Sequence, residues 1–446
     1  MFSTISWIVL LVAVVNTAFI LSFGKKRIFF LLVSSWWFLW LFLSTFSLSG
    51  LFVPRNQTYY LFIMMLSSIT FGGFIYLLTQ FLGHSYSPKS VHRSGSICNE
   101  VMMARVEKIL LILNYFIFLP LALLFFFKAI TLFITNPGIL GEDYRNLVFS
   151  SDIIFPQTPI FRIFSNLFWH PIRIISLFVG GAIFIVFKKR NLFFIASLLF
   201  LLEAITSAGR FQFYIIICIY MSVLVCRNDA RITLLFRDRA FRLSLIPMAF
   251  LLGLVLVTTF SRVSEDYGIV DIFNDYVIGY HTLGFTLFDI HLNDPGLMLG
   301  EINTYGRASL GTIEWAAGIF FRRFDPNISN ISMEAAVDIG RFITTGYDDL
   351  GHPISFNAFG TILYTIYMDG GIPLTLFLSS LYGFYLLKLT NQSLEKKSVY
   401  SISLLFFLIY VGIFGIFQPL MLLSSFWPSL IYLNLLLRKQ IVFFKR

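Results

Sequence analysis

The sequence predicts an all-α polytopic membrane protein of about 11 transmembrane helices with a large, partly helical external loop. Of its 446 residues, 57% are hydrophobic and only 13% are charged, which leaves too few polar side chains to cover a soluble protein. Apolar stretches repeatedly reach the ~20 residues with which a helix crosses about 30 Å of hydrocarbon. Between two such stretches lies a polar segment of 94 residues, 262–355, which we interpret as a functional segment.

The apolar stretches are long and lack the alternation of barrel strands, so they predict helices. The predicted spans are 4–23, 28–49, 58–80, 106–134, 171–187, 191–209, 211–226, 243–261, 371–389, 399–417 and 419–437. The first is a retained helix and not a removed signal, because its basic cluster follows it. In the fourth, Pro120 should kink the helix, and Lys128 can extend toward the interface.

Lysine and arginine orient these spans, because cytoplasmic loops retain positive charge during insertion. With alternate loops placed inside, 22 of the 33 basic residues are cytoplasmic, whereas 18 of the 23 acidic residues are external or within the membrane. The N-terminus is then outside, the C-terminus inside and the large loop outside. The net charge of +10 therefore marks the cytoplasmic membrane face and does not indicate nucleic acid.

The segment 357–369 is apolar but too short to cross, and a full crossing would export the loop that carries Lys396 and Lys397. We expect a short helix that lies at the outer face or dips into it. The chain is then predicted to divide into an N-terminal bundle of eight spans (1–261) with a short external segment (135–170), a large loop (262–370) and C-terminal helices (371–446).

Two arginines end spans on the outer side, Arg210 and Arg262. Guanidinium suits a lipid-linked diphosphate because its planar fork donates paired hydrogen bonds and stays charged. Glu203, Ser207 and Arg210 are spaced four and three apart and should share one helix face. A carboxylate within the membrane indicates a functional site. The alternative is that both arginines are interfacial anchors, with Glu203 as a structural counter-ion.

Further charged and titratable side chains fall on the outer side. Arg145, Arg162 and Arg173 flank the shorter external segment and can join the same basic site, although each can also be an interface residue. A neutral histidine can take a proton from a sugar hydroxyl as general base. His352 is the preferred candidate because it lies just before the segment 357–369, whereas His281 follows Tyr280 earlier in the loop. The alternative is a histidine bonded to backbone.

The large loop mixes aromatic residues with 13 carboxylates. Aromatic faces stack on sugar rings while carboxylates and amides bind hydroxyls, so this composition fits a neutral oligosaccharide, and equally an unremarkable folded loop. CxxC, HExxH and Walker-type sequences are missing, which argues against a zinc site and nucleotide-driven transport. Cys98, Cys218 and Cys226 fall in or near the cytoplasmic side, so no disulfide framework is expected.

Several short motifs resemble those of the bacterial O-antigen polymerases (Wzy class) and the related O-antigen ligases. They are Thr206, Ser207 and Arg210 at the start of a span, Ser261-Arg262 before the large loop, Asn357-Ala358-Phe359-Gly360 leading through Tyr364 to Gly370-Gly371-Ile372-Pro373, and GEDYR at 141–145. The resemblance covers the architecture of the whole chain. Compared with the ligases, His352 stands five residues before Asn357 instead of next to an asparagine.

The resemblance implies an inverting glycosyltransferase of the GT-C type in the bacterial inner membrane, with a periplasmic N-terminus and a cytoplasmic C-terminus. It would join undecaprenyl-diphosphate-linked repeat units in the periplasm without metal or cofactor, with a Wzz-type chain-length regulator as a partner. Arg210 and Arg262 would hold the donor diphosphate, and His352 would activate the acceptor hydroxyl. The side chains expected to bind substrate are Arg145, Glu203, Tyr280, His281, Asn357 and Tyr364.

Two other functions remain open at this point. An O-antigen ligase would differ only in its acceptor, the lipid A core. A flippase or transporter would need internal pseudo-symmetry and a polar path at mid-membrane, and a single intramembrane carboxylate argues against it. A structural scaffold would explain neither the two outer arginines nor the large loop.

Overall fold

The computed structural model describes residues 3–24, 27–83, 96–136, 144, 147–148, 151–228, 249, 253, 270, 273–301, 303–325, 327–348, 351–356, 359–423 and 425–437. Three of the predicted site residues, Arg145, Arg262 and Asn357, lie outside these ranges. Of the predicted span 243–261, only Ala249 and Gly253 lie within them.

Helices form most of the described chain. In order they are α1 (Thr4–Leu21), α2 (Ile28–Leu43), α3 (Asn56–Gly83), α4 (Ser96–Leu113), α5 (Leu119–Thr135), α6 (Pro159–Phe164), α7 (His170–Phe187), α8 (Asn191–Thr206), α9 (Phe211–Arg227), α10 (Tyr280–Asn293), α11 (Met298–Glu301), α12 (Arg307–Leu310), α13 (Thr312–Phe321), α14 (Ile331–Ile339), α15 (Ile362–Lys396), α16 (Val399–Phe414) and α17 (Phe426–Leu437). Two short strands, β1 (Ile343–Tyr347) and β2 (Pro353–Phe356), pair antiparallel.

Six helical stretches in the described chain are long and apolar enough to cross a bilayer. They are Thr4–Leu21, Ile28–Phe46, Asn56–Leu82, Val101–Thr135, Pro159–Phe187 and Ile362–Lys396. The shorter apolar helices α8, α9, α16 and α17 also coincide with predicted spans. The prediction of a helical, membrane-embedded chain is confirmed, while the number of about 11 spans stays a prediction.

Two of the long stretches contain a π-helical turn immediately before a proline. The π segment Asn114–Phe118 joins α4 to α5, which carries Pro120, and Ser165–Trp169 joins α6 to α7, which carries Pro171. Proline lacks an N–H and its ring clashes with the carbonyl four residues earlier, so a wider turn relieves the conflict. The disturbance predicted at Pro120 therefore takes the form of a π turn.

The helix α8 ends at Thr206, and Arg210 is the residue before α9. Between them Ala208 has a left-handed backbone conformation, with φ 46°. Glu203 therefore belongs to one helix and Arg210 to the cap of the next. The expectation that Glu203, Ser207 and Arg210 share a single helix face is wrong, because the chain turns inside that spacing.

The helix α15 bends sharply at Gly370 and Gly371. Gly371 has φ 57° and ψ −146°, a conformation that residues with a Cβ rarely adopt. Pro373 lies in the first turn after the bend, where a missing N–H breaks no helical hydrogen bond. The bend separates a short helical piece before it from a long one after it, as expected for 357–369 followed by a span.

The chain forms two compact units. The first unit comprises Met1–Ser87, Gly268–Asn391 and Leu408–Trp427, and the second comprises Pro88–Tyr267, Gln392–Phe407 and Pro428–Arg446. Each unit thus combines pieces from distant parts of the sequence. The linear division at 261 and 370 stays a prediction of topology.

Close helix crossings hold the first unit together. A Cβ on Gly72 of α3 would lie 1.8 Å from the carbonyl oxygen of Ser380 in α15, and one on Gly383 would lie 1.8 Å from that of Ile69. Glycine at these positions allows the two backbones to touch. Trp37 in α2 adds an indole hydrogen bond of 2.6 Å to the carbonyl of Gly412.

The second unit is built around α7 and α8. A Cβ on Gly180 would lie 2.7 Å from the backbone nitrogen of Phe193, so these helices also approach closely. A buried cluster that includes Phe118, Phe125 and Trp169 packs α5 and the π segment Ser165–Trp169 against α8. This cluster forms the base of the site described next.

Candidate functional site

A cavity of about 310 Å³ opens in the second unit where α5, α6, α7, α8 and α9 meet. Its lining is Ala122, Phe125, Val148, Phe155, Pro156, Gln157, Phe161, Arg162, Ser165, Asn166, Trp169, His170, Glu203, Thr206, Ser207 and Gln212. The volume lies at the lower end of the ~300–1,000 Å³ typical of small-molecule sites. More than half of these side chains are polar, so we call this site the polar cavity.

One helical face supplies much of the lining. Ser165, Asn166, Trp169 and His170 stand three, four, seven and eight residues after Arg162, which places all five on one side of a continuous helix. The π turn falls within this run, at Ser165–Trp169. Such insertions frequently occur at functional sites, because they redirect side chains without ending the helix.

An ion pair lies at the buried side of the polar cavity. The guanidinium of Arg173 contacts Glu203 Oε2, and Arg173 also lies over the ring of Phe200 with its Cζ 4.4 Å from the ring centre. Arg173 Nη2 is 3.3 Å from His170 Nδ1. Because arginine only donates, His170 Nδ1 accepts, and its ring proton is assigned to Nε2.

Glu203 also receives a polar contact from the cavity wall. Gln212 Nε2 in α9 donates to Glu203 Oε1 over 3.4 Å, and His170 Nδ1 is 3.9 Å from the same oxygen. The carboxylate is thus oriented by groups from two other helices, α7 and α9. A carboxylate that lines a cavity and is held in this way can accept hydrogen bonds from a ligand's hydroxyls.

Aromatic rings form another part of the lining. Phe125 makes edge contacts with Phe155 and Phe161, at centroid distances of 4.9 and 5.7 Å, and lies 6.1 Å from Trp169. Ring faces beside amide and carboxylate groups suit a ligand with both apolar and hydroxylated surfaces. The cavity has both.

Arg162 supplies an exposed positive charge where the cavity opens. Its Nη2 donates to Gln157 Oε1 over 3.1 Å, and the backbone N–H of Gln157 in turn donates to Asp152 Oδ1. Thr158 caps the helix α6, accepting a hydrogen bond from the N–H of Phe161. These contacts fix the start of α6 and hold the guanidinium over the cavity lining.

Tyr144, from the GEDYR motif, contacts the end of α8. Its hydroxyl donates to the carbonyl of Thr206 over 2.5 Å, and its ring stacks on Phe133 at 4.2 Å. Burial raises the pKa of Tyr144 to about 12, so the hydroxyl remains a donor at neutral pH. Tyr144 thereby positions Thr206, which lines the cavity.

Arg210 belongs to the same unit as the polar cavity but does not line it. Its side chain is only 6% exposed, and it stands two residues before Gln212, which does line the cavity. The expectation of a guanidinium open to headgroups is therefore not met for Arg210 in this conformation. Its role in holding a diphosphate stays a prediction.

His352 lies in the first unit, in the tight turn between β1 and β2. Its Nδ1 is 3.0 Å from Asp348 Oδ2, and its backbone N–H donates to Asp348 Oδ1 over 2.7 Å. The imidazole is 71% exposed. Because Asp348 occupies Nδ1, Nε2 is the atom that can exchange a proton with a ligand.

The other two residues proposed from the first half of the loop differ in exposure. Tyr280 is half-buried, with its ring 4.9 Å from that of Phe359. His281 is buried, stacked on Trp40 at 3.9 Å, with Nδ1 2.5 Å from the carbonyl of Val277. His281 thus has a packing role, and its predicted part in binding stays a prediction.

Tyr364 is fully buried and takes part in a polar cluster that the sequence did not suggest. Its hydroxyl donates to Asp338 Oδ2 over 3.0 Å, and the N–H of Met298 donates to the same atom over 3.1 Å. His291 Nδ1 lies 3.4 Å from it, and Arg341 Nε is 3.5 Å from Asp338 Oδ1. This cluster joins four helices of the loop.

The sequence predicted Arg162, which lines the cavity, and Arg173, which pairs with Glu203, to be external. Asn166, Trp169 and Gln212 were not singled out. Arg162, Asn166, Trp169 and Arg173 are spaced four, three and four apart, which was a usable signal, because this spacing marks one helix face that carries polar side chains.

Within the described part of the chain, no three His, Cys, Asp or Glu side chains are grouped to hold a metal ion. No family model, curated protein or solved structure matches the chain. The function is therefore argued from the chemistry of the site.

Proposed function

We propose that the protein is a membrane glycosyltransferase that polymerises undecaprenyl-diphosphate-linked oligosaccharide repeat units into O-antigen. The polar cavity carries the proposal. It combines an aromatic wall, a fixed carboxylate, amides and hydroxyls with an exposed guanidinium, the set of groups that a glycan joined to a diphosphate requires.

The proposal includes a topology of eleven spans with the N-terminus and the large loop in the periplasm. Every cavity residue from 148 to 170 and from 203 to 212 then lies in the short external segment or at the periplasmic end of a helix. The basic clusters at 25–27, 188–190 and 227–242 lie at the opposite ends, as the distribution of positive charge requires. A lipid-linked donor in the outer leaflet would meet the cavity at headgroup depth.

The charges at the cavity suit an anionic leaving group beside a neutral sugar. Glu203 is matched by Arg173, so this buried pair adds no net charge. Arg162 contacts a neutral glutamine and is exposed, so the cavity mouth is positive. In the proposal Arg162 joins Arg210 and Arg262 in binding the diphosphate, and its charge stabilises the leaving group as it departs.

In the proposed reaction the acceptor hydroxyl oxygen attacks the anomeric carbon of the donor sugar from the face opposite the diphosphate. The bond between that carbon and the diphosphate oxygen breaks, and undecaprenyl diphosphate leaves with the electron pair. The hydroxyl proton passes to a general base, for which His352 stays the predicted residue; Asp348 orients its ring. The anomeric configuration is thereby inverted, and no cofactor is needed.

Deletion of the gene followed by analysis of surface lipopolysaccharide tests the function and separates it from ligation. A lipid A core that carries one repeat unit supports a polymerase. A bare core with accumulated lipid-linked polymer would identify a ligase instead, because only the acceptor differs. Unchanged long-chain glycan would reject both enzymes.

The residues that define the proposal can be tested in the complemented deletion strain. We expect Arg210→Ala and Arg262→Ala to abolish polymer while the protein remains inserted, because a lost charge-assisted donor typically costs about 10²-fold or more in rate. Since Arg210 is buried, Arg210→Lys serves as the variant that keeps the charge. Normal long-chain glycan from both alanine variants would contradict the assignment.

A further inference from the structure

The helix α13 presents large apolar side chains to its surroundings although it lies in the polar loop. Exposed residues on it and just after it are Ile313, Ile319, Phe320, Phe321 and Phe324, of which Phe324 is 75% exposed. The rings of Phe321 and Phe324 each lie 5.4 Å from that of Phe320. A contiguous exposed apolar patch of this kind marks a binding surface.

The opposite side of α13 is firmly packed, so the exposed side is a defined face. Glu314 accepts hydrogen bonds from Arg307 Nε at 2.7 Å and from the N–H of Ser332 at 2.6 Å. A Cβ on Gly318 would lie 2.7 Å from Asn330 Nδ2. Ile313 and Phe320 are seven residues apart, on the other side of the helix, and Phe324 follows three residues after the helix ends.

The start of α13 is fixed to the connection between two apolar helices, α16 and α17. Thr312 Oγ1 donates to the carbonyl of Leu423 over 3.3 Å, and Trp427 Nε1 donates to the carbonyl of Ser309 over 2.6 Å. A Cβ on Gly311 would lie 2.3 Å from the carbonyl oxygen of Met421. With α16 and α17 as spans, α13 begins at the level of the membrane surface.

The length of α13 and the positive charges that follow it indicate which partner it binds. A helix of 10 residues is about 15 Å long, half of what a crossing needs. Arg322 and Arg323 follow directly and are exposed, next to the three phenylalanines. An apolar face beside arginines is typical of helices that lie in the membrane plane among anionic headgroups.

We infer that α13 and Phe324 form an in-plane anchor that inserts into the outer leaflet of the membrane and binds anionic lipid headgroups through Arg322 and Arg323. The inference rests on the proposed topology. It goes beyond the proposed function, because it assigns a lipid-binding surface to a helix of the large loop that is separate from the polar cavity and from His352.

Single cysteines at Phe320 and Asn327 test the anchor in the full-length chain. Both positions are exposed, so neither substitution disturbs the buried side of the helix. Each variant is labelled with an environment-sensitive, membrane-impermeant fluorophore in vesicles of equal parts phosphatidylglycerol and phosphatidylcholine, and the unsubstituted chain, labelled in parallel, measures background from native cysteines. We expect blue-shifted emission at position 320 and emission typical of water at 327.

Lipids brominated at different depths make the test sharper. In-plane helices reach only about 5–10 Å below the headgroups, so bromine near the top of the acyl chain should quench the probe at 320 more than bromine near its end. Arg322→Gln with Arg323→Gln should reduce this quenching, as should vesicles without phosphatidylglycerol. Inorganic phosphate alone should change neither emission, because the site requires a bilayer.

The outcomes separate this inference from the proposed topology. Labelling of the cysteine at 327 from outside intact cells, with emission at 320 typical of water in vesicles, would overturn the anchor and leave the topology intact. A blue shift at position 320 that appears only after membrane proteins are added would also overturn the anchor, and would indicate a protein partner instead. Labelling of 327 only after the membrane is opened would overturn both.

Discussion

The guanidinium of Arg173 contacts the carboxylate of Glu203, and the two side chains are only 5% and 13% exposed. Arg173 lies in α7 and Glu203 in α8. The pair therefore links two helices of the second unit, and Glu203 also lines the polar cavity. Removing one partner of a buried ion pair leaves an uncompensated charge, which typically costs about 3–5 kcal/mol.

The pair has a structural and a binding role that can be separated. We expect Arg173→Met to lower the thermal midpoint of the detergent-solubilised protein and to abolish polymer. The double variant Arg173→Met with Glu203→Gln should recover most of the thermal midpoint, because no buried charge is left, and should still form no polymer, because the carboxylate is gone. Full polymer formation by the double variant would show that the pair is purely structural.

Arg162 allows a cleaner test of the cavity, because it is exposed and its loss should not affect folding. We predict that Arg162→Ala reduces polymer formation by about 10²-fold with an unchanged thermal midpoint, and that Arg162→Lys restores part of it. Arg55 is the matched control, since it also is exposed and its Nη1 donates to an amide oxygen, that of Asn293, over 2.8 Å. Equal losses from Arg55→Ala and Arg162→Ala would contradict a specific role.

The helices could be predicted because hydrophobic length is a local signal. The predicted span 4–23 is the helix Thr4–Leu21, and 211–226 is Phe211–Arg227. The predicted helix ends differ more from the observed ones where polar residues continue a helix. The predicted span 371–389 extends to Lys396, because nothing in the sequence after 389 forces the helix to stop before the basic residues.

The site was only partly predictable, because its contacts join residues that are distant in sequence. The predictions that Arg173 is external and that Glu203 has a functional role followed from charge and hydropathy. Their pairing depends on how α7 packs on α8, which no spacing rule provides. Likewise, the resemblance implied that Tyr364 binds substrate, whereas tertiary packing directs its hydroxyl to Asp338.

The buried cluster around Asp338 predicts a dependence of stability on pH. Burial raises the pKa of this carboxyl, but the hydrogen bond and charge of His291 and the hydrogen bonds from Met298 and Tyr364 outweigh it, so the pKa lies below its ordinary value of 3.8. A depressed pKa stabilises the fold above the unfolded-state value, and this stabilisation is lost as the pH falls through the folded-state value. Thermal midpoints measured from pH 7 to pH 3 should therefore fall in acid.

Asp338→Asn is expected to lower the thermal midpoint at pH 7 and to make the midpoint decrease less in acid. Tyr364→Phe removes one hydrogen bond to the carboxylate and should cost less, about 1.5–3 kcal/mol, the range for a bond to a charged group. An Asp338→Asn variant whose midpoint falls as steeply in acid as that of the wild type would show that another group is responsible.

The crossing of α3 and α15 predicts which glycines tolerate no side chain. Gly383→Ala would place a Cβ 1.8 Å from the carbonyl oxygen of Ile69, so the two helices must separate. We expect a loss of about 1–3 kcal/mol or more, seen as a lower thermal midpoint and reduced expression. Gly296→Ala is the control, because its nearest neighbour would lie at 3.4 Å. A neutral Gly383→Ala would mean that the helices do not touch there.

The contact between His352 and Asp348 predicts which substitutions reduce activation of the acceptor hydroxyl. Both side chains are substantially exposed, 71% and 43%, so neither substitution should change the thermal midpoint. A general base contributes about 10²–10⁴-fold, so we expect His352→Ala to lose polymer formation to that extent. Asp348→Asn should lose less, because it removes only the group that orients the ring.

The rate and the thermal midpoint together distinguish a base from a structural residue at this turn. His352→Ala should slow polymerisation in vitro at an unchanged thermal midpoint, and Asp348→Asn should slow it less, whereas the loss of a structural residue would lower the midpoint as well. The turn itself also uses Asp348, whose backbone N–H donates to the carbonyl of His352 over 3.0 Å, a bond that both variants retain. An unchanged rate in His352→Ala would assign proton transfer to another group.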